Sequence, residues 1–546
     1  MRIFISLALV CALFSCKSTS EDKIQADLIV INANIYTVDD GFTQATAMAI
    51  GGGLILEVGA EYEITEEYES ENVYNAQGKT IVPGLIDAHA HLFNLGVGLQ
   101  QVDLVGTSSA EEILEKVKAF ADQKNPSFIR GRGWDQNDWE VKEFPTKAEL
   151  DALFPDTPVA LTRIDGHALW VNSKALEMAG ITADTKMPGG EVVLVNGEPS
   201  GILIDTPMRL IRETFPEMTL EDVDTALKDA EQVCLSYGLT TINDAGLDKE
   251  VIEQIQKLQD ADQMDLRVYA MVSNAEENLD YFLNKGIIKT EGLHVRSIKV
   301  YGDGALGSRG AAMRAPYSDK DGHFGAMITT EEDLLTLAKR IAAAGYQMNT
   351  HAIGDSANIA VLRAYTEALK GKTDARWKVE HAQVVSIEDF EYFSNNIIPS
   401  VQPTHATSDM YWAEDRVGPD RIKGAYSFKT LLDKAGIVAL GTDFPVEQVN
   451  PMYTFYAAVA RKDLEGYPDG GFRPEEMLSR EEALKGMTIW AAYSNFEEEE
   501  KGSIEVGKFA DFTVLSADIM TIDEAELPKV VAEKTYIGGK LVYEKQ

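Results

Sequence analysis

The sequence predicts an α/β protein built on a parallel, TIM-like (β/α)8 barrel, and three observations carry that prediction. Eight apolar runs of strand length recur through the middle of the chain, several of them separated by helical patterns. Ligand-type side chains stand at the ends of several runs, where barrel enzymes keep their working groups. Two segments near opposite chain ends look alike, which predicts a β-sandwich assembled from both termini with the barrel inserted into it.

The first 22 residues read as a unit apart from the fold. Met1-Arg2 opens an apolar run over 3–14, followed by Ser15-Cys16 and a polar stretch. A basic start, a short apolar core and a small residue before the cut describe an export signal. The run is too short to span a bilayer as a stable helix. Leu13-Phe14-Ser15-Cys16 resembles a bacterial lipobox. That implies lipid on Cys16 and a membrane-anchored place in the cell envelope, the outer membrane or periplasm, since lysine and not aspartate follows the cysteine. A plain secretory signal with an incidental cysteine is the other reading. With Cys11 removed and Cys16 lipidated, only Cys234 is left, so stability is expected from core burial and bound metal.

A length of 546 residues predicts two or three domains, and 45% hydrophobic residues are enough to build their cores. Acidic residues outnumber basic ones 88 to 50, a net charge of −38, which argues against a nucleic-acid partner. A solvated surface and a saline habitat both account for that charge.

Segments 23–79 and 500–546 form the expected composite sandwich. Ala26-Asp-Leu-Ile-Val-Ile-Asn-Ala-Asn-Ile-Tyr-Thr37 lines up with Ala510-Asp-Phe-Thr-Val-Leu-Ser-Ala-Asp-Ile-Met-Thr521. Residues 48–58 read as a hairpin turning on Gly51, Gly52 and Gly53, and 536–543 as another. No helix pattern comes after those glycines, so they are not read as a phosphate cradle. Residues 80–499 form the expected barrel, with strands over 80–87, 240–243, 266–272, 296–301, 346–350, 377–380, 397–402 and 437–442. Helices are expected at 331–344, 357–370 and 428–435. The interval of about 95–237 is too long for one crossover and carries its own strand-like pieces, so it is read as an inserted subdomain.

The residues at the strand ends point to chemistry. His89 and His91 close the first run, and strand alternation projects both to one side. Lys299 lies inside the fourth run, His351 closes the fifth, His381 closes the sixth, and Asp443 comes just after the eighth. Singly, a histidine after a strand is ordinarily a hydrogen-bonded structural residue, Lys299 a salt-bridged one and Asp443 a cap. Jointly they are nitrogen and oxygen donors suited to zinc or a similar divalent metal, converging on one barrel mouth. The chain has eight histidines, and four of them stand at these strand ends.

Pro83-Gly-Leu-Ile-Asp-Ala-His-Ala-His91, followed in order by Lys299, His351, His381 and Asp443, resembles the amidohydrolase superfamily. The fuller agreement is with amidohydrolase family 3, the group of N-substituted formamide deformylase-like hydrolases. Arg130-Gly-Arg-Gly-Trp-Asp135, Asp165-Gly-His-Ala168, Gly302-Asp-Gly-Ala-Leu-Gly-Ser-Arg309, Gly441-Thr-Asp-Phe-Pro-Val-Glu447 and Gly502-Ser-Ile-Glu-Val-Gly-Lys-Phe-Ala-Asp511 support it.

The resemblance implies two divalent metal ions, most simply zinc. His89, His91 and Asp443 would hold one and His351 with His381 the other, bridged by Lys299 as a carbamate; an unmodified Lys299 with one metal stays open. It implies hydrolysis of a C–N bond in a small N-acyl or N-formyl compound, with Asp443 carrying the proton. A deaminase or cyclic-amide hydrolase on the same site, and a lipoprotein that only binds a ligand, are the alternatives. Trp134, Asp135, His167, Arg309 and His405 are the expected substrate-pocket residues. Of these, His167 or His405 is read as a donor to the substrate carbonyl. Arg309 is read as a partner for a carboxylate or a local brace. A homo-oligomer is among the options for assembly. His294 and His323 are given no role, and 497–500 is read as a solvated acidic turn.

Overall fold

Eight parallel strands curl into a barrel in the computed structural model, which describes residues 23–546. The export-signal and Cys16 readings therefore fall outside the described residues. The strands are β1 (Leu85–Ala90), β2 (Leu239–Leu247), β3 (Arg267–Ser273), β4 (Leu293–Tyr301), β5 (Gln347–Ala352), β6 (Trp377–His381), β7 (Ile397–Val401) and β8 (Ala439–Leu440). Each pairs in parallel with the next.

Beyond the short β8 the backbone still meets β1. Asp443 N–H donates to the His89 carbonyl at 2.8 Å and His91 N–H to the Phe444 carbonyl at 2.8 Å. Asp87 braces the same seam, accepting from the Thr442 hydroxyl at 2.7 Å. A β-carbon at Gly441 would lie 2.5 Å from the His89 nitrogen, so only glycine lets the strands approach this closely.

The helix Glu331–Ala344 shows why the sequence signals sufficed there. Thr330 caps it by accepting from the Asp333 amide, and acidic residues fill the first turn. Leu334, Ala338, Ile341 and Ala342 make one buried stripe, and Gly345 ends the helix in the left-handed conformation at φ 77°. Asp355–Ala368 and Phe428–Ala435 supply the other two expected helices.

The expected strand over 80–87 divides between two sheets. Thr80–Pro83 joins the sandwich, flanked by Asn34–Tyr36 and Phe512–Leu515, the strands that come from the two similar segments. Gly84 then turns the chain, donating to Asp511, and β1 enters the barrel. That sandwich sheet takes strands from both chain ends, and it packs Ile35, Ile81, Phe512 and Val514 against Val30, Met48 and Ile50 of a four-stranded partner sheet. Between β1 and β2 lies a separate six-stranded mixed sheet, ordered Val102–Asp103, Ile129–Trp134, Val159–Arg163, Ala168–Val171, Glu198–Asp205, Gly190–Val195. It buries Trp134, Leu161 and Trp170 in one core cluster, and Leu169, Val171 and Leu203 in another. No described helix is long and apolar enough to cross a membrane.

Glu497 departs from its expected solvation. It is buried at 2% exposure and pairs with Lys289 at 2.8 Å and Lys501 at 3.0 Å, with His294 Nδ1 3.2 Å away. A run of four glutamates reads as solvated only if all four face water, and this one turns inward to waiting cations.

Candidate metal centre

The end of β1 brings two imidazoles to the barrel axis, with ring centroids 5.6 Å apart. His89 Nδ1 lies 2.7 Å from Glu380 Oε2 and His91 Nδ1 lies 2.9 Å from the Ala245 carbonyl. His381 Nδ1 lies 2.7 Å from Gln402 Oε1. All three partners are acceptors, so each Nδ1 carries the proton and each Nε2 keeps its lone pair for the centre.

Asp443 lies among those lone pairs. Its Oδ1 is 3.2 Å from His91 Nε2 and 3.6 Å from His89 Nε2, and its Oδ2 is 3.6 Å from His405 Nε2. Two triads have ligand atoms mutually within 4.8 Å: His89, His91 and Asp443, and His381, His405 and Asp443. Lys299 Nζ sits 3.0 Å from His89 Nε2, and the His351 ring lies 4.5 Å from that of His381.

Asp443 Oδ1, His351 Nε2 and His405 Nε2 are buried with no hydrogen-bond partner. Buried polar atoms left unpaired cost free energy, and a cation bound by their lone pairs removes that cost. The donor set is nitrogen and oxygen at a strand-end cluster, so these residues fit a divalent metal.

Electrostatics agree with ligand duty. Burial, then the charge of Lys299, takes the His351 imidazole down to about 3, and His89 is lowered by the same two causes. Burial also takes His381 well below its ordinary value. All three are neutral at pH 7, as ligation requires. Burial lowers Lys299 as well. Burial pushes the Asp443 carboxyl up, but the nearby His91, His381, His89 and His405 imidazoles outweigh it and hold the group well below its usual range. His381 at φ 72° and Asp443 at φ 63° occupy left-handed backbone, a strain of order 1 kcal/mol or more that clusters at this centre.

The other expected pocket residues scatter. Trp134 is buried and donates to the Leu161 carbonyl at 2.8 Å. Asp135 pairs with Arg163 and caps the turn Gln136–Asp138. His167 is 72% exposed in its side chain and pairs with Asp205 at 2.7 Å. Every hydrogen-bond and ring partner of these three lies in the inserted sheet domain, not at the histidine cluster. Arg309 spends Nε and Nη2 on Asp319, at 3.0 and 2.8 Å, and Arg416 shares that carboxylate. It braces its own loop. His405, read from sequence as a carbonyl donor, stands within ligand distance of Asp443 instead.

Glu380, Gln402 and Asp303 escaped the sequence reading. Asp303 accepts the amides of Ala312, Ile353 and Gly354, tying the loop after β4 to that after β5. A signal existed for Glu380: in Trp377-Lys-Val-Glu-His381 two charged side chains alternate with apolar ones, so both face the barrel interior.

A parallel barrel whose strand ends converge imidazoles and a carboxylate around unsatisfied acceptors defines the class of metal-dependent hydrolases. A profile of the amidohydrolase family matches residues 72–543, and the chain belongs to that family, in the branch called amidohydrolase family 3. Among its relatives, protein LONG AFTER FAR-RED 3 of Arabidopsis thaliana is 34% identical over 95% of this chain and 92% of its own. The N-substituted formamide deformylase of Arthrobacter pascens is 28% identical over 95% of this chain and 98% of its own. The crystal structure of an uncharacterized metal-dependent hydrolase from Pyrococcus furiosus superposes with a TM-score of 0.75 at 27% identity, covering 90% of this chain and 100% of that one.

Proposed function

We propose that this chain hydrolyses the C–N bond of a small N-acyl or N-formyl compound, using two divalent metal ions, most simply zinc. The observation that carries the reading is Asp443, shared between two histidine groups with its Oδ1 buried and unpartnered. The 28% identity with a formamide deformylase over nearly the whole chain supports the formamide-type substrate.

His89, His91 and Asp443 would hold one ion, and His351 and His381 the other. Lys299 would bridge them as a carbamate, since burial favours the neutral amine that reacts with carbon dioxide. When bound, a divalent ion here lowers the pKa of water toward about 7 and polarises a carbonyl. The side chains do the rest. Glu380, Ala245 and Gln402 hold three imidazoles with their lone pairs inward. Asp443 takes the proton of the attacking water and returns it to the leaving nitrogen, with His405 Nε2 standing 3.6 Å from its second oxygen.

The test is metal analysis joined to an activity screen over formamides, other N-acyl amines, cyclic amides and aminopurines. Metal-loaded protein is expected to release formate or the acid from the acyclic amides, and Asp443→Asn to lose about 10²–10⁴ in turnover with His89 and His91 still binding metal. Ammonia release from aminopurines alone would install the deaminase reading, and tight metal without any turnover the ligand-binding one. Anchorage through lipid on Cys16 belongs to the same proposal. Detergent partitioning is expected to differ between wild type and Cys16→Ser, and identical soluble behaviour would remove the anchor.

A further inference from the structure

Directly above the metal-ligand layer stands a phenol that neither the site chemistry nor the sequence reading has used. Tyr301 is the last residue of β4, two positions beyond Lys299, so strand alternation puts both on the same inward face. Lys299 is 1% exposed and Tyr301 38%, so the tyrosine is the next rung outward, where the barrel opens to solvent. Its ring centroid is 5.2 Å from Lys299 Nζ and 5.7 Å from the His351 ring. Its hydroxyl reaches across to β2, 3.6 Å from where a β-carbon at Gly246 would be. Gly246 is next to Ala245, the residue whose carbonyl fixes His91.

The backbone holding this ring is pinned, because the Tyr301 carbonyl accepts from the Thr329 hydroxyl at 2.7 Å. No hydrogen bond among the described residues engages the phenol oxygen. Other donors near the mouth are placed for other work: Arg309 and Arg416 pair with Asp319, and His405 Nε2 is an unpartnered ligand-type nitrogen 3.6 Å from Asp443 Oδ2. His167 lies in the inserted sheet domain, paired with Asp205. An uncommitted O–H on a pinned backbone, at the mouth beside the candidate ligand cluster, has the chemistry of a donor to a developing oxyanion.

We propose that the Tyr301 hydroxyl donates a hydrogen bond to the carbonyl oxygen of the substrate amide and strengthens it as charge builds on that oxygen. No proton leaves the phenol; it only donates. The assignment rests on the hydrolase reading above for its substrate class, and it takes over the carbonyl-donor role first considered for His167 and His405.

Tyr301→Phe keeps the ring and removes the hydroxyl. In the full-length, metal-loaded chain acting on formanilide, kcat is expected to fall about 100-fold. KM should rise by no more than about tenfold, less than the loss in kcat, with metal content and Tm unchanged. Calorimetric binding of formanilide to the metal-stripped chain is expected to weaken about tenfold in the variant, which reads the donor without chemistry. Turnover and binding both within about twofold of wild type would overturn the assignment. If wild type binds formanilide without cleaving it, the deformylase-type reading fails and the binding loss alone decides the role of Tyr301. If wild type does neither, the assignment falls with the reading.

Discussion

Glu380 is the residue on which the ligand geometry turns most directly. Its Oε2 accepts the hydrogen bond from His89 Nδ1–H at 2.7 Å in a fully buried pair, which fixes both the tautomer and the plane of the first candidate ligand ring. Burial pushes the carboxyl up, but His89 outweighs it and keeps the group ionised, with Lys378 and Lys299 adding to the effect. Glu380→Gln keeps the size and an acceptor while removing the charge. Zinc affinity, measured by competition with a chromophoric chelator, is expected to drop about 10–100-fold with the fold intact by circular dichroism. Unchanged affinity would reduce Glu380 to packing. The candidate ligands were legible because each stands at or near the end of a strand that the sequence marks by its apolar run. Their supports were not, because Glu380 and Gln402 matter only through partners 291 and 21 residues away in sequence.

At the scale of elements, the strand ends carry the site and the opposite ends carry a buried polar floor. Asn243 on β2 and Asn495 exchange hydrogen bonds at 2.9 and 2.7 Å, and Lys378 on β6 donates to Asn495 at 2.8 Å. Glu497 continues this floor, clamping the segment after helix Ile489–Ser494 to Lys289 and to His294 at the start of β4. Burial pushes the Glu497 carboxyl up, but Lys501, His294 and Lys289 more than compensate and hold it well below its usual value. A depressed carboxyl pKa stabilises the fold above the unfolded value, near 4.3, and the contribution is lost as pH falls toward the folded one. Glu497→Gln should therefore cost about 3 kcal/mol at pH 7 and progressively less below about pH 4, read from urea midpoints across that range. A cost independent of pH would assign the loss to packing. This floor was illegible in the sequence. Periodicity reports which residues face inward on a strand, but Asn495 and Glu497 lie in a loop and meet their partners only through the closure of the barrel.

For the whole molecule, the candidate ligands are what the barrel has in place of a continuous eighth strand pairing. His89 comes from β1 and His91 from just beyond it, Lys299 from β4, His351 from β5, His381 from β6, and Asp443 from the turn beyond β8. Between β8 and β1 the hydrogen bonds in this region come from the turn beyond Leu440: Gly441 packs on β1, Thr442 is held by Asp87, and Asp443 and Phe444 meet the backbone of His89 and His91. A metal held by His89, His91 and Asp443 therefore ties together the two edges of that seam. Because such an ion binds the native state alone, it adds RT ln(1 + [L]/Kd), about 4 kcal/mol at a thousandfold excess over Kd and about 1.4 kcal/mol more for each further tenfold. Chelation should lower the Tm of wild type by several degrees, in a manner that depends on free zinc. Asp443→Asn should start lower and shift less, because it has already lost the oxygen shared by both triads. Gly441→Ala, which forces a β-carbon against His89, should lose stability in the metal-free and metal-loaded states alike, since it opens the seam whether or not the ion is present. If chelation leaves Tm unmoved while zinc is demonstrably removed, the barrel closes through Asp87 and its backbone contacts alone, and the histidine cluster is catalytic equipment without a structural share.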